Sequence, residues 1–157
     1  IEKIQSCFQD KIIDADKINL LLNIRTNEDF NQLKDAALNG NKKETNRLLT
    51  DTVFETENNI FYLNSINQRM NKLKEIENLK QKDTNIEILV ANIKPPIFWK
   101  DKPILINQSK KWNKNKIQQA LKKTYNAEIE LKSNATIRKD LIIKNLIVDL
   151  CSEANAF

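Results

Sequence analysis

Apolar residues recur at helical spacing over most of the chain. The longest periodic stretch runs from about Glu55 to Lys82, where apolar residues return every three or four positions and charged residues lie between them. Its seam consists of Ile60, Leu63, Ile66, Met70, Leu73, Ile76 and either Leu79 or Lys80. A coiled coil would show the same period. About three heptads without clear complementary flanking charges favour a helix packed in a bundle instead.

Shorter helices are predicted on both sides of this stretch. The predicted segments are 1–10, 18–24, 27–39 and 42–51 before it, and 85–93, 115–133 and 136–153 after it. Thr26 and Thr84 are the predicted N-caps, while Gly40 and the Pro95–Pro96 pair are predicted to end helices. A β-sandwich would need turn residues every 8–12 positions or so, and the chain has one glycine and three prolines. The sequence therefore predicts an all-α helical bundle.

Several kinds of chemistry are excluded by residues that the chain lacks. It contains no histidine, which is the usual general base and the commonest metal ligand. A single glycine, Gly40, cannot build the glycine-rich loops of nucleotide-binding folds. Cys7 and Cys151 lie far apart, with no partners at metal-ligand spacing. We read them as two reduced thiols of a cytoplasmic protein, with a long-range disulfide as the alternative. We expect a non-catalytic chain with no cofactor and no metal.

Composition indicates a soluble protein that is part of something larger. Charged residues make up 30% of the 157 positions, and aliphatic residues are plentiful enough to build a core. No apolar run approaches the roughly 18 residues that cross a bilayer. The chain begins with Ile1 rather than Met, so we expect a piece of a longer protein.

Positive charge is concentrated in one segment, residues 94–123. This segment carries nine lysines and one acid, a net charge of +8, whereas the whole chain carries +5. Phe98, Trp99 and Trp112 lie in the same segment, and lysines with aromatic rings are the side chains that bind phosphates and stack on exposed bases. The alternative is a solvated basic face with aromatic side chains in the core. For the two tryptophans we favour core packing, more strongly for Trp112 than for Trp99.

Five short motifs follow one another along the chain, namely Ile1–Ile4, Asp16–Ile18, Phe30–Gly40, Lys43–Leu49 and Ala127–Lys132. Their order and spacing resemble the C-terminal part of the delta subunit family of bacterial DNA polymerase III clamp loaders. The third motif is similar to a recurrent Phe-, Leu- and Asp-Ala-containing motif that ends in Gly at the start of the family's collar domain. The last motif resembles Ala-Asp-x-x-Leu-Lys, with Glu128 in place of the more usual Asp.

The resemblance implies two regions and a scaffold function. Residues 1–25 would be the C-terminal remnant of an AAA+ lid domain, and residues 26–157 a helical collar domain for oligomerisation. Such a chain is a non-catalytic subunit of the DNA polymerase III holoenzyme, a DNA-directed DNA polymerase of the bacterial cytoplasm. Its implied partners are the gamma/tau and delta prime subunits and primer–template DNA. The sliding clamp would be contacted through an N-terminal domain that this chain lacks, and no membrane is involved.

The resemblance and the charge together give candidate site residues. By position, Trp99 resembles a family aromatic near the end of the DNA duplex, although the Pro95–Pro96 pair departs from the family pattern. The predicted DNA-proximal residues are Trp99, Lys100, Lys102, Lys110, Lys111, Lys114 and Lys116. Glu128 and Lys132 are spaced four apart, and such a helical pair contributes only about 0.2–0.5 kcal/mol. We therefore expect them to orient a contact between subunits, with plain surface pairing as the alternative.

Two other functions fit the same sequence. The basic segment would suit a free-standing helical domain that binds nucleic acid. A helical adaptor that binds only proteins is the other possibility. Neither alternative needs a catalytic residue.

Overall fold

The computed structural model describes residues 28–80, 85–133 and 138–156, and all regular structure in these ranges is helical. The all-α prediction is confirmed. The predicted helices at 1–10 and 18–24, and with them the predicted lid remnant at 1–25, lie outside the described residues. So do the predicted N-caps Thr26 and Thr84.

Seven α-helices occupy the described ranges. Helix α1 covers 28–38 of this part of the chain. The others are α2 (Lys42–Asp51), α3 (Asn59–Leu79, preceded by a 3₁₀ turn, Thr56–Asn58), α4 (Ile86–Asn92), α5 (Asp101–Ser109), α6 (Lys114–Lys132) and α7 (Lys139–Asn155). Asparagine side chains cap three of them, because Asn41, Asn85 and Asn113 each accept a backbone N–H from the first turn of α2, α4 and α6.

Helix α5 was not predicted as a helix because a proline interrupts its pattern. Pro103 is the third residue of α5. In the first turn of a helix the backbone N–H has no helical acceptor, so a proline there removes no hydrogen bond. The prolines at 95 and 96 lie in the non-helical connection before α5, as their predicted role as helix breakers requires.

Helix α3 is the centre of the bundle and packs against α4, α5, α6 and α7. The inner part of the predicted seam is fully buried: Leu63, Ile66, Met70, Leu73 and Ile76 are at most 1% exposed. At one end of the predicted seam Ile60 is wrong, because it is 47% exposed. At the other end Leu79 is 49% exposed, whereas the alternative, Lys80, is partly buried. Tyr62 is fully buried near the start of α3 instead. Helical spacing gives the inward direction in the middle of α3, whereas at its start the buried positions are Asn59 and Tyr62 rather than Ile60.

Gly40 ends α1 through a Schellman motif, as its predicted role requires. Its φ is +65°, and the N–H groups of Gly40 and Asn41 bond to the carbonyls of Ala37 and Ala36 at 2.8 and 3.0 Å. The Nδ2 group of Asn155, at the end of α7, donates to the Gly40 carbonyl at 2.8 Å. This glycine therefore joins the end of α1 to the end of the chain's last helix.

Substituting Gly40 with alanine is expected to destabilise the protein by about 2 kcal/mol. The left-handed conformation costs a residue with a Cβ roughly 1–2 kcal/mol, and a Cβ here would lie 2.7 Å from Nδ2 of Asn155. Urea denaturation followed by circular dichroism measures the change. The same substitution in an Asn155→Ala background removes the clash and leaves the backbone cost. A loss below about 0.5 kcal/mol, the size of an ordinary surface substitution, would contradict the prediction.

Candidate nucleic-acid interface

The connection between α4 and α5 presents an exposed pair of aromatic rings. Ile93 and Ile97 are buried and anchor the connection, whereas Phe98 is 59% and Trp99 is 68% exposed. The two ring centroids are 5.8 Å apart, and Nζ of Lys100 lies 5.4 Å from the centre of the Trp99 ring. Core packing, which we favoured for Trp99, is therefore wrong. Ile97 occupies the inward position, and the chain then turns, with the Asp101 N–H bonded to the Phe98 carbonyl at 2.9 Å.

Trp112, in contrast, belongs to the core, as expected. It is 1% exposed, and its indole Nε1–H donates to the backbone carbonyl of Leu38 at 2.8 Å. Trp112 follows α5 directly and so fixes the end of α5 against the end of α1. It is closed to a nucleic-acid base, which leaves Trp99 as the tryptophan that can stack.

The predicted DNA-proximal lysines fall into two groups. Lys100, Lys110 and Lys114 are exposed, and Lys102 is partly buried. Lys111 and Lys116 are held by backbone carbonyls: Lys111 Nζ donates to Asn39 O at 2.5 Å, and Lys116 Nζ donates to Ala156 O at 2.6 Å. These carbonyls lie at the C-terminal ends of α1 and α7, where a cation is stabilised by the free carbonyls and the helix dipole. Their structural role was missed from the sequence.

Two of these exposed lysines lie at the ends of α5, and the third, Lys114, is the first residue of α6. Lys100 precedes the first residue of this helix and Lys110 follows its last. Nine helical residues span roughly 13 Å at about 1.5 Å per residue. The surface thus offers one aromatic edge with a cation beside it and a second cation one short helix away. Such a surface can attract a phosphate backbone and stack on a base, but it has no geometry for reading base edges.

Glu128 and Lys132 form the predicted ion pair on the surface of α6. Lys132 Nζ lies 2.5 Å from Glu128 Oε1, and the two side chains are 64% and 35% exposed. Tyr125 and Ile129, two large side chains of the same helix, are 61% and 51% exposed. This outer surface of α6 has apolar groups beside a charged pair. Its use as a contact between subunits stays a prediction.

A buried polar cluster joins α1, α3 and α5 and was not predicted. Arg69 Nη2 lies 3.3 Å from Asp35 Oδ1 and 3.8 Å from Asp101 Oδ1, and Gln108 Nε2 donates to Asp35 Oδ1 at 3.2 Å. Arg69 is 8% exposed and Gln108 is fully buried. The position of Arg69 beside the apolar seam of α3 is the one feature of the sequence that could have indicated a buried charge. Its carboxylate partners, however, come from two other helices.

Lys34 belongs to the same region of the protein. Its Nζ donates to Asn31 Oδ1 at 2.7 Å and to Ser65 Oγ at 2.9 Å, and the residue is 6% exposed. Burial, followed by the nearby Arg69 charge, lowers the pKa of Lys34 from 10.5 to about 8. The ammonium is therefore less stable here than in water.

The described residues contain no group of three or more His, Cys, Asp and Glu side chains that could hold a metal ion. Cys151 is a buried free thiol whose sulfur accepts a hydrogen bond from Thr45 Oγ1 at 3.6 Å. Cys7 lies outside the described ranges. Within those ranges, no helix is both long enough and apolar enough to span a membrane.

Comparison of this chain with protein-family models, with curated proteins and with solved structures gives no match. A function for this chain therefore rests on its motifs and on the surfaces described above.

Proposed function

We propose that this chain is a non-catalytic helical scaffold, the C-terminal part of the delta subunit of a bacterial DNA polymerase III clamp loader. In that role it packs beside the gamma/tau and delta prime subunits, so that the sliding clamp is loaded at primer–template DNA. The clamp itself would be contacted through a domain that precedes this chain. The proposal places the chain in the bacterial cytoplasm.

The Phe30–Gly40 motif carries the proposal. Phe30, Leu33 and Ala37 are fully buried, and Gly40 has the positive φ that its place at the end of the motif demands. Asp35 is the acceptor that joins α1 to Arg69 of α3 and Gln108 of α5. The residues that resemble the family motif are thus those with demanding structural positions. A motif that recurs in a family of collar domains would contain residues that the fold requires in this way.

The exposed Phe98–Trp99 edge supports contact with DNA. A tryptophan that is 68% exposed beside a lysine gains nothing from the core. It can stack on a base at the end of a duplex, and such stacking contributes about 1–3 kcal/mol per base. This edge equally favours the second candidate, a free-standing helical domain that binds nucleic acid.

Reconstitution distinguishes these candidates. The chain, joined to its upstream domain, is mixed with gamma/tau and delta prime, and co-elution and primer–template binding are measured over a salt series. Co-elution, with DNA binding only in the complex, is expected. Binding by the chain alone, with a log–log salt slope that steepens by about 0.9 per phosphate contact, would favour the free-standing domain. Failure to join the other subunits would contradict the clamp-loader proposal.

Two aromatic substitutions then test the surface. Trp99→Ala is expected to weaken DNA binding by the assembled loader by about tenfold, the loss of one stacking contact. Tyr125→Ala is the matched control, because Tyr125 is similarly exposed but lies on α6, and co-elution is measured for it first because Tyr125 lies beside the predicted subunit contact. Fluorescence anisotropy with a labelled primer–template measures both. Equal effects of the two substitutions would remove Trp99 from the interface.

A further inference from the structure

A surface cavity of about 260 Å³ lies where α1, α3 and the start of α5 meet. Three cationic side chains line it, Lys34, Arg69 and Lys72. The neutral polar side chains of Asn31, Ser65 and Gln68, the carboxylate of Asp101 and the ring of Phe61 line it as well. The cationic floor is buried, with Lys34 6% and Arg69 8% exposed, while Gln68 at the rim is exposed. The cavity thus has a buried positive floor and an opening to solvent.

The positive charge of this floor is only partly neutralised. Asp35 and Asp101 are the carboxylates that contact Arg69, and both approach the same nitrogen, Nη2. A guanidinium has five N–H groups, so Arg69 has donors beyond that nitrogen. The acceptors that Lys34 contacts, Asn31 Oδ1 and Ser65 Oγ, are both neutral. Three cations therefore share two carboxylates.

A buried ammonium without a counterion is costly, and protein interiors normally pair such a charge. The pKa of Lys34 is lowered by this cost, since burial and the Arg69 charge both destabilise the protonated amine. An anion in the cavity would lie near Lys34 and Arg69, and its charge would stabilise the protonated amine. Lys72, which is partly buried at the cavity wall, adds a third positive charge.

We propose that this cavity binds a single phosphate group through Lys34, Arg69 and Lys72. The group is either free phosphate or one phosphodiester of a nucleic-acid strand, which present the same charged oxygens to the site. Tetrahedral phosphate oxygens suit a floor with one planar guanidinium and two ammonium groups. The amide group of Gln68 can donate to a remaining oxygen, whereas the Ser65 hydroxyl donates to Asn31 Oδ1 at 3.2 Å. Trp99 is not among the residues that line this cavity.

Binding of inorganic phosphate by the whole chain is the direct test. Calorimetric titration at neutral pH is compared with titration of sodium chloride at matched ionic strength. Saturable phosphate binding is expected, and it should be weakened about tenfold or more by Lys34→Met, which removes a charged donor. Lys72→Gln should also weaken it. Lys74→Gln is the matched control, because Lys74 is an exposed lysine of the same helix outside the cavity.

The second arm identifies the source of the phosphate group. Anisotropy with a primer–template is measured for the same variants assembled into the loader, with and without competing phosphate. Loss of DNA binding in Lys34→Met and Lys72→Gln but not in Lys74→Gln would identify a strand phosphodiester. Unchanged DNA binding together with saturable phosphate binding would identify free phosphate.

The proposal is overturned if Lys72→Gln and Lys74→Gln respond equally in both arms, or if phosphate acts no differently from chloride and DNA binding is unaffected. The comparison between the two glutamine variants stands even if Lys34→Met fails to fold. Because free phosphate tests the cavity without any partner, this result is independent of the proposed clamp-loader role.

Discussion

Replacing Trp112 with alanine is expected to lower the free energy of unfolding by about 3–5 kcal/mol. Trp112 is the largest fully buried side chain of the described residues. Its removal takes apolar area out of the core and leaves a void where α5 ends. It also leaves the Leu38 carbonyl without the Nε1–H donor that lies 2.8 Å away. Such a loss is a large part of the 5–15 kcal/mol or so that stabilises a typical domain.

The phenylalanine substitution separates packing from hydrogen bonding. Trp112→Phe keeps an aromatic ring in the core but removes the indole N–H. An orphaned buried carbonyl costs about 1–3 kcal/mol, so this variant should fall between wild type and Trp112→Ala. Urea denaturation followed by circular dichroism gives all three free energies on one scale.

Trp99→Ala is the matched control for both variants. It also removes a tryptophan, but one that is 68% exposed, and surface substitutions usually change stability by no more than about 0.5 kcal/mol. Equal losses for Trp99→Ala and Trp112→Ala would show that the packing described for Trp112 is wrong. Comparing Trp99→Ala with Trp112→Ala also separates an effect on stability from an effect on the proposed DNA contact.

The same two tryptophans show where prediction from the sequence ends. Both lie in the basic segment and near lysines, and nothing local distinguishes them. Their difference comes from the Leu38 carbonyl, which is 74 positions away from Trp112 along the chain and becomes its acceptor only when α1 and α5 meet. Long-range acceptors of this kind are not visible in a periodic pattern.

Helical spacing was informative where it concerned one helix and its inward face. It predicted the inner seam of α3, from Leu63 to Ile76, and the end of α1 at Gly40. It failed at Ile60, which is 47% exposed while its neighbours Asn59 and Tyr62 are buried. Local propensity and periodicity do not show which positions the neighbouring helices cover at the end of a helix.

For the candidate site, composition predicted the location of the positive charge but not its use. Lys111 and Lys116 satisfy backbone carbonyls at helix ends, whereas Lys100 lies beside the Trp99 ring. The cationic groups of the cavity, Lys34, Arg69 and Lys72, lie outside the basic segment. The burial of Lys34 and Arg69 was not predicted, because their contacts form only where three helices meet.

Lys34 should make the stability of the chain rise with pH on the alkaline side. Its pKa is about 8 in the folded protein against an ordinary value of 10.5. Below the folded value the amine is charged in both the folded and unfolded states, so the full cost of burying the charge is present. Between the two values only the unfolded state holds the proton, and stability rises with pH. Above the ordinary value the amine is neutral in both states and the cost is gone.

The difference in unfolding free energy between wild type and Lys34→Met isolates this effect. It should rise by roughly 3 kcal/mol between neutral pH and the alkaline limit, at about 1.4 kcal/mol per pKa unit. The charged groups around Lys34 are Arg69, Asp35, Asp101 and Lys72, and all of them are present in both proteins. The raised pKa of Tyr62 likewise affects both proteins, so these groups cancel in the difference.

Urea denaturation over a series of pH values measures that difference, with Lys74→Met as the control. Lys74 is exposed, so its substitution should give a difference that does not change with pH. If the Lys34→Met difference is equally flat, the ammonium carries no burial cost, and the cavity loses its reason to attract an anion. If phosphate binds as proposed, it stabilises the protonated amine, and the rise in stability should begin at a higher pH in phosphate than in chloride. A shift to higher pH would show that phosphate binds next to Lys34, because a phosphate bound elsewhere on the surface would leave the titration of Lys34 unchanged.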